Sequence, residues 1–180
     1  MSRPWLSIVL FMCALAANAA LPVNAAPQSD AALVLRGQGT ASYLMIDVYE
    51  ARLYAPADLP ARDLPRASAP LRLRLSYKLP LSRDDIIRVT WEKLREQWPQ
   101  QRIQKIAPAL ETLHARLRDV DEGDSYTLEY HPEQGMSMWL NDRIIWQGGD
   151  AALAEAYFGL WLKQPALSEP LRLALLGQAE

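Results

Sequence analysis

The chain of 180 residues carries 19 basic and 21 acidic side chains, a formal net charge of −2, and one cysteine. A balance so close to neutral gives no electrostatic footprint for nucleic acid or an anionic membrane, so neither is expected as a partner. Half of the residues are hydrophobic, which suits one domain of ordinary size with its own core.

The first 25 residues are predicted to be a secretory signal peptide. Arg3 supplies one positive charge, the stretch from Trp5 to Ala17 is apolar, and no further charge occurs until Asp30. Ala17-Asn18-Ala19 and Val23-Asn24-Ala25 both fit a cleavage site, and the second leaves a polar mature start. An uncleaved membrane anchor would need a longer apolar run, of about 20 residues. We therefore expect export to the periplasm, a mature domain at 26–180 and no integral membrane segment after cleavage.

The single cysteine lies inside this signal. Phe11 and Met12 precede Cys13 and the apolar run continues beyond it, which is the wrong context for lipidation. Cleavage would leave a mature chain without thiol or disulfide chemistry, so its stability would come from the core.

The mature chain opens with strand patterns. An apolar stretch from Ala32 to Arg36 is broken by Gly37-Gln38-Gly39, and the segment from Tyr43 to Tyr54 is predicted to be one strand. Tyr49, Ala51 and Leu53 share one face of that strand. Prolines at 56, 60, 65 and 70 then mark an irregular loop. The strict alternation from Leu71 to Tyr77 predicts a half-buried antiparallel strand.

Two helical segments follow. Ser82 and Asp85 resemble a capping box at the start of a helix whose buried face carries Ile87, Trp91, Leu94 and Trp98. A second helical pattern runs to about Arg118, and Pro108 is expected to split it.

The last third returns to strands and then to helices. Strands are predicted at 126–130, 136–140 and 144–147, with a tight hairpin at Asn141-Asp142. Asp150 can cap a helix with Leu160 and Trp161 on its inward side, and a short helix ends the chain. This order of elements predicts an α+β fold with an antiparallel sheet.

The sequence contains few groups for catalysis or metal binding. His114, expected at a helix edge, and His131, expected in a turn, have no further ligands at metal spacing, so no metal site is predicted. The piece Gly37-Gln38-Gly39 lacks a third glycine and a following helix, which excludes a dinucleotide motif, and no cofactor is predicted. Trp91, Trp98 and Trp161 fit a helix core, or alternatively the lining of an apolar cleft.

Three segments together resemble the bacterial chalcone-isomerase-like proteins. They are Leu35–Gly39 leading into Val48–Tyr54, Ser82–Arg88 with Trp91 and Leu94, and Glu122–Tyr130 followed by Leu160-Trp161-Leu162 and Leu175-Leu176-Gly177. The resemblance implies an open-faced sandwich, with a large antiparallel sheet covered by a layer of helices. It also implies a cleft for small apolar ligands, since some relatives isomerise plant flavonoids and others bind fatty acids without known catalysis.

The same resemblance allows the isomerase residues to be compared position by position. Where the isomerases have a cleft arginine this chain has Thr40-Ala41, their cleft threonine falls at Tyr49, and their helix tyrosine and asparagine fall near Ile86 and Lys93. Their last polar cleft residue falls near Leu160. Closing the flavonoid ring requires a stabilised oxyanion, which alanine, isoleucine and leucine side chains cannot provide. No catalytic residue is therefore predicted, and the expected ligand contacts are Tyr49, Ile86, Trp91 and Leu160.

Three functions follow as hypotheses. The leading one is an exported, non-catalytic protein that binds a small apolar or amphipathic ligand, such as a fatty acid, between sheet and helices. The alternatives are an altered isomerase or intramolecular lyase acting on an enone, and an interaction module of the cell envelope with an exposed apolar patch. The sequence defines no protein partner.

Overall fold

The computed structural model describes residues 32–178, so the predicted signal peptide and Cys13 lie outside the described residues. This part of the chain forms six strands: β1 Leu33–Tyr43, β2 Ile46–Pro56, β3 Leu71–Tyr77, β4 Ser125–His131, β5 Gly135–Leu140 and β6 Arg143–Gly148. It also forms four α-helices: α1 Arg83–Gln97, α2 Gln100–His114, α3 Ala151–Leu162 and α4 Glu169–Leu175. None of these helices is both long and apolar enough to span a bilayer.

The six strands form one antiparallel sheet in sequence order, with α1 and α2 inserted between β3 and β4. The alternation in β3 works as predicted, because Leu71, Leu73, Leu75 and Tyr77 are buried under the helices while Arg72 and Arg74 lie on the opposite face. The fold is thus the predicted α+β open-faced sandwich, with one face of the sheet covered by helices.

Helix α3 is the centre of the helical layer. Its residues from Ala156 to Leu162 are all buried, and it packs against α1, α2, α4 and β5. A helix that is apolar on every side belongs in an interior. Asp150 caps it as expected, since its carboxylate accepts a hydrogen bond from the backbone N–H of Leu153 at 3.0 Å.

The predicted strand from Tyr43 to Tyr54 is wrong at its start, because the chain reverses there. Leu44 and Met45 form a two-residue hairpin turn between β1 and β2, with φ of 48° and 67°. Tight hairpins need this left-handed backbone, which normally selects asparagine or glycine. An apolar pair in the turn gives no such signal, so the sequence pattern concealed the hairpin.

The glycines expected to break the first strand lie inside β1 instead. A Cβ atom at Gly37 would lie 2.2 Å from the carbonyl oxygen of Ala174, and one at Gly39 would lie 2.9 Å from the Ala174 Cβ. These glycines therefore allow α4 to pack directly on β1. The role of Gly37 and Gly39 thus depends on contact with α4, which is distant from them in sequence.

Two expectations based on proline are also corrected. The proline-rich segment after β2 contains a 3-10 helix at Ala61–Arg66, whose Leu64 is buried in the core. Pro108 does not split α2, which runs unbroken from Gln100 to His114. Pro108 has no backbone N–H to donate to the carbonyl of Gln104, four residues earlier. Both residues lie on the exposed side of α2, where water can hydrogen-bond to that carbonyl.

Candidate functional site

A cavity of about 280 Å³ lies between the sheet and the helices. Its floor comes from the covered face of β1 to β5 and its roof from α1, α3 and the segment before α4. Most of its lining is aliphatic or aromatic: Ala41, Tyr43, Val48, Tyr49, Leu73, Leu75, Tyr77, Leu81, Ile86, Val89, Leu117, Tyr126, Leu128, Met138, Tyr157, Trp161 and Leu167. Ser42, Asp85, Thr90 and Ser168 complete it. This is the usual character of a small-molecule site.

Three tyrosines on adjacent strands form one wall of the cavity. Tyr49 on β2 lies opposite Tyr77 on β3, and Tyr126 on β4 is the next in the row. The ring centroids are 5.8 Å apart for Tyr49 and Tyr77 and 6.1 Å apart for Tyr77 and Tyr126, both with edge-to-face geometry. Such packing holds the rings rigidly, so the wall is formed before any ligand arrives.

The Tyr49 hydroxyl is a polar group of the cavity wall that connects two layers of the fold. It accepts a hydrogen bond of 2.9 Å from the indole N–H of Trp161 on α3, which ties the sheet to the helical layer. Burial raises the pKa of Tyr49 to about 12, an effect partly offset by the Trp161 hydrogen bond. The hydroxyl stays protonated at neutral pH, and its own O–H donates to no other group within residues 32–178.

The other cleft hydroxyls differ in availability. Tyr126 is occupied, because its hydroxyl donates to the Arg118 carbonyl and accepts from the Arg118 backbone N–H. Burial raises the pKa of Tyr77 and of Tyr157 well above the ordinary tyrosine value. Thr90 on α1 faces Tyr157 and moderates that rise. The tyrosine hydroxyls of the cleft are therefore neutral hydrogen-bonding groups at neutral pH.

Two of the four predicted ligand residues line the cavity and two do not. Tyr49 and Ile86 lie in its wall. Trp91 points instead to α2, where its ring packs edge-to-face on His114 with centroids 5.7 Å apart. Leu160 is fully buried in α3 and is absent from the lining.

Trp161, for which the sequence left open a helix core or a cleft lining, borders the cavity, and Tyr157 and Tyr77 line it without having been expected as ligand contacts. The spacing of Tyr157 and Trp161, four apart on α3, places both on one side of the helix. Tyr77 belongs to the buried series of β3. The spacing on α3 and the alternation of β3 indicate that these side chains are buried. Nothing in either pattern distinguishes a core position from a cavity wall.

His114 is buried rather than placed at a helix edge. It lies between Trp91 and Tyr157, and neither ring nitrogen has a hydrogen-bond partner among the described residues. Burial, and then the positive charge of Arg83, lower its pKa from 6.5 to about 4. His114 is therefore a neutral core residue at neutral pH. Across residues 32–178, no three histidine, cysteine or acidic side chains are grouped so as to hold a metal ion.

Fold and cleft together define a class of protein, an open-faced α+β sandwich with an apolar cavity beneath its helices. The chain belongs to the chalcone isomerase-like family, which it matches over residues 16–177. Among solved structures it is similar to the crystal structure of a fatty-acid binding protein from Arabidopsis thaliana. The two share 18% sequence identity with a TM-score of 0.63, over 80% of this chain and 86% of that one. No curated protein matches the sequence at a significant level.

Proposed function

We propose that the protein binds a small apolar or amphipathic molecule in the cleft and releases it unchanged. The observation that carries this proposal is the apolar cavity between sheet and helices, with preformed aromatic walls and a few neutral hydroxyls. Filling such a cavity removes apolar ligand surface from water, at about 25 cal/mol for each Å². The similar solved structure is named as a fatty-acid binding protein, which supports the same kind of function.

The chemistry of the lining supports binding without turnover. A general base works best with a pKa near the working pH, and the pKa of the Tyr49 hydroxyl lies far above it. The one acidic lining residue, Asp85, is 56% exposed at the mouth and is engaged by Ser82 and Arg88. This set of groups suits retention of a ligand better than proton transfer.

A pair of tryptophan variants on α1 tests the proposal. Ile86 lines the cavity, whereas its neighbour Ile87 packs against the core outside it. We expect purified wild type to bind decan-1-ol in calorimetric titrations and to retain apolar molecules detectable by lipid extraction and mass spectrometry. Ile86→Trp should neither bind decan-1-ol nor retain apolar molecules, because the larger side chain fills the cavity. Ile87→Trp should do both as the wild type does. A wild type that binds no apolar molecule, or equal binding by Ile86→Trp, would refute the proposal.

The isomerase alternative can be tested with the same purified protein by measuring the absorbance of an enone substrate. Purified protein incubated with a panel of chalcones would lose the enone absorbance if any turnover occurred, and Tyr49→Phe would abolish that loss. Unchanged absorbance across the panel is the result that pure binding requires.

We further propose that residues 1–25 direct export to the periplasm and are then removed. The support is the order of one basic residue, a short apolar run and the small residues before Ala26. In a Gram-negative host, N-terminal sequencing of the protein from the periplasmic fraction should begin at Ala26. A protein recovered only from the cytoplasm with Met1 intact would contradict export.

The interaction module, the other alternative, is favoured by one feature, the hairpin tip. Tyr43, Leu44, Met45 and Ile46 are consecutive apolar residues, and Met45 is 99% exposed. Patches of this kind often mark contact surfaces. Sedimentation velocity over a range of concentrations would reveal self-association through the tip, which the Leu44→Asn/Met45→Gly variant should abolish. A monomer at every concentration would exclude self-association through the hairpin tip.

A further inference from the structure

The lysine and arginine side chains on the elements that build the cleft all have partners among the described residues. Arg36 donates to the carbonyls of Pro56 and Leu59 at 2.6 and 2.8 Å. The rest pair with carboxylates, with a hydroxyl or with a ring: Arg52 with Glu50, Arg72 with Glu129, Arg83 with Asp84, Arg88 with Asp85, Lys93 with Glu96, Arg74 with Ser125, Arg95 with Trp91 and Lys163 with Trp98. Across the described residues, no lysine or arginine contributes to the cavity lining.

The arginine beside Asp85 at the cleft mouth is also occupied. Asp85 belongs to the lining, and the Arg88 guanidinium beside it is shared with a second carboxylate, that of Glu92 at 3.3 Å. The Arg88 charge is therefore divided between two carboxylates and is not left free for a ligand. An incoming carboxylate meets no free guanidinium beside Asp85, and no lysine or arginine of the described residues lines the cavity.

The hydrogen-bonding groups of the cleft suit an uncharged oxygen. The Tyr49 oxygen is already occupied as an acceptor by the Trp161 N–H, which leaves the Tyr49 O–H free to donate. A neutral donor in an apolar cavity can satisfy a carbonyl, ether or hydroxyl oxygen. It cannot replace the water around a carboxylate, whose burial is costly without a positive partner.

We propose that the cleft selects an uncharged apolar ligand that carries one hydrogen-bond acceptor oxygen, received by the Tyr49 hydroxyl, and discriminates against the carboxylate form of a fatty acid. This inference rests on the proposed binding function and narrows its ligand class. It separates the chain from a binder that anchors an ionised fatty acid through a cleft cation.

A series of three probes with the same ten-carbon chain tests the charge selection. Decan-1-ol is neutral, decanoate is anionic and decylammonium is cationic at a pH of about 8. In calorimetric titrations of the protein as purified after export, decan-1-ol should bind at least about tenfold more tightly than either ion. Equal or tighter binding of decanoate would overturn the inference while leaving the binding function intact. Tighter binding of decylammonium would overturn it too, by showing that Asp85 recruits cations. Absence of binding by all three would instead count against the binding function itself.

A first pair of variants tests whether the lack of a cation in the cavity wall causes the preference for a neutral ligand. Ile86→Arg places a cation in the cavity wall and should reverse the preference toward decanoate, whereas Ile87→Arg outside the cavity should not.

A second pair tests the Tyr49 hydroxyl as the hydrogen-bond donor to the ligand. Tyr49→Phe should weaken decan-1-ol binding about fivefold and leave decane binding unchanged, because only the alcohol uses the hydrogen bond. Tyr54→Phe, on the opposite face of β2, is the control. Circular dichroism checks that each variant is folded, and equal losses for decan-1-ol and decane in Tyr49→Phe would contradict the assigned donor.

Discussion

Acidification should destabilise the protein through the buried His114. In the unfolded chain this imidazole takes up a proton near pH 6.5, whereas in the folded protein its pKa is about 4. Between these values the unfolded state binds more protons, so the free energy of unfolding falls as the pH falls through this window. The contribution of His114 is fully present above pH 6.5 and is lost progressively below it.

The size of the effect follows from the pKa shift. Each pKa unit corresponds to about 1.4 kcal/mol, so the full loss is roughly 3 kcal/mol, of which roughly 2 kcal/mol is reached by about pH 5. Only 4% of His114 is exposed, so solvent screening reduces this little. A loss of this size is a large share of the stability of an ordinary domain.

Urea unfolding followed by circular dichroism at several pH values between about 7.5 and 5 measures this loss. His114→Phe keeps an aromatic ring between Trp91 and Tyr157 but cannot be protonated, so its stability should be nearly flat over that range. His131→Gln, which removes the histidine at the end of β4, is the comparison variant. Parallel pH profiles for wild type and His114→Phe would refute the reasoning.

Three further predictions concern the frame around the cleft, each measured by urea unfolding. Gly37→Ala should cost about 3 kcal/mol or more, because its Cβ would lie 2.2 Å from the Ala174 carbonyl oxygen; a loss under about 1 kcal/mol would show that α4 can move away. Leu44→Asn/Met45→Gly should stabilise by about 1 kcal/mol through relief of the left-handed turn, and no gain would mean that the turn is unstrained. Asp150→Ala should cost about 1 kcal/mol by removing the α3 cap, whereas Asp150→Asn should restore most of that loss.

Elements with a local cause could be predicted from the sequence. The alternation of β3 and the capping of α1 by Ser82, whose hydroxyl accepts from the backbone N–H of Asp85 at 3.1 Å, depend on neighbours within a few residues. The open-faced sandwich was expected from the order of such elements together with the family resemblance, and the structure confirms it. Two predictions about the first strands were wrong. The role of Gly37 depends on a contact distant in sequence, and the turn at Leu44 uses residue types that are unusual in tight hairpins.

The site could be predicted only in part, because helical periodicity identifies a buried face but not what covers it. On α1, Ile86 and Thr90 face the cleft while Trp91, one position further on, faces His114 of α2. On α3, Leu160 and Trp161 are both buried, yet only the tryptophan borders the cavity. The rotation of each helix over the sheet decides these roles, and it is set by packing throughout the domain.

The hydrogen bond between Trp161 and Tyr49 gives the cleft an intrinsic optical probe. Of the tryptophans in residues 32–178, only Trp161 borders the cavity, and its N–H already points at the tyrosine hydroxyl. An occupant that draws on that hydroxyl changes the polarity around the indole, so its emission should shift in wavelength and intensity. Candidate ligands can therefore be screened on unlabelled protein by fluorescence, with Trp161→Phe as the blank that separates the cleft from the other indoles.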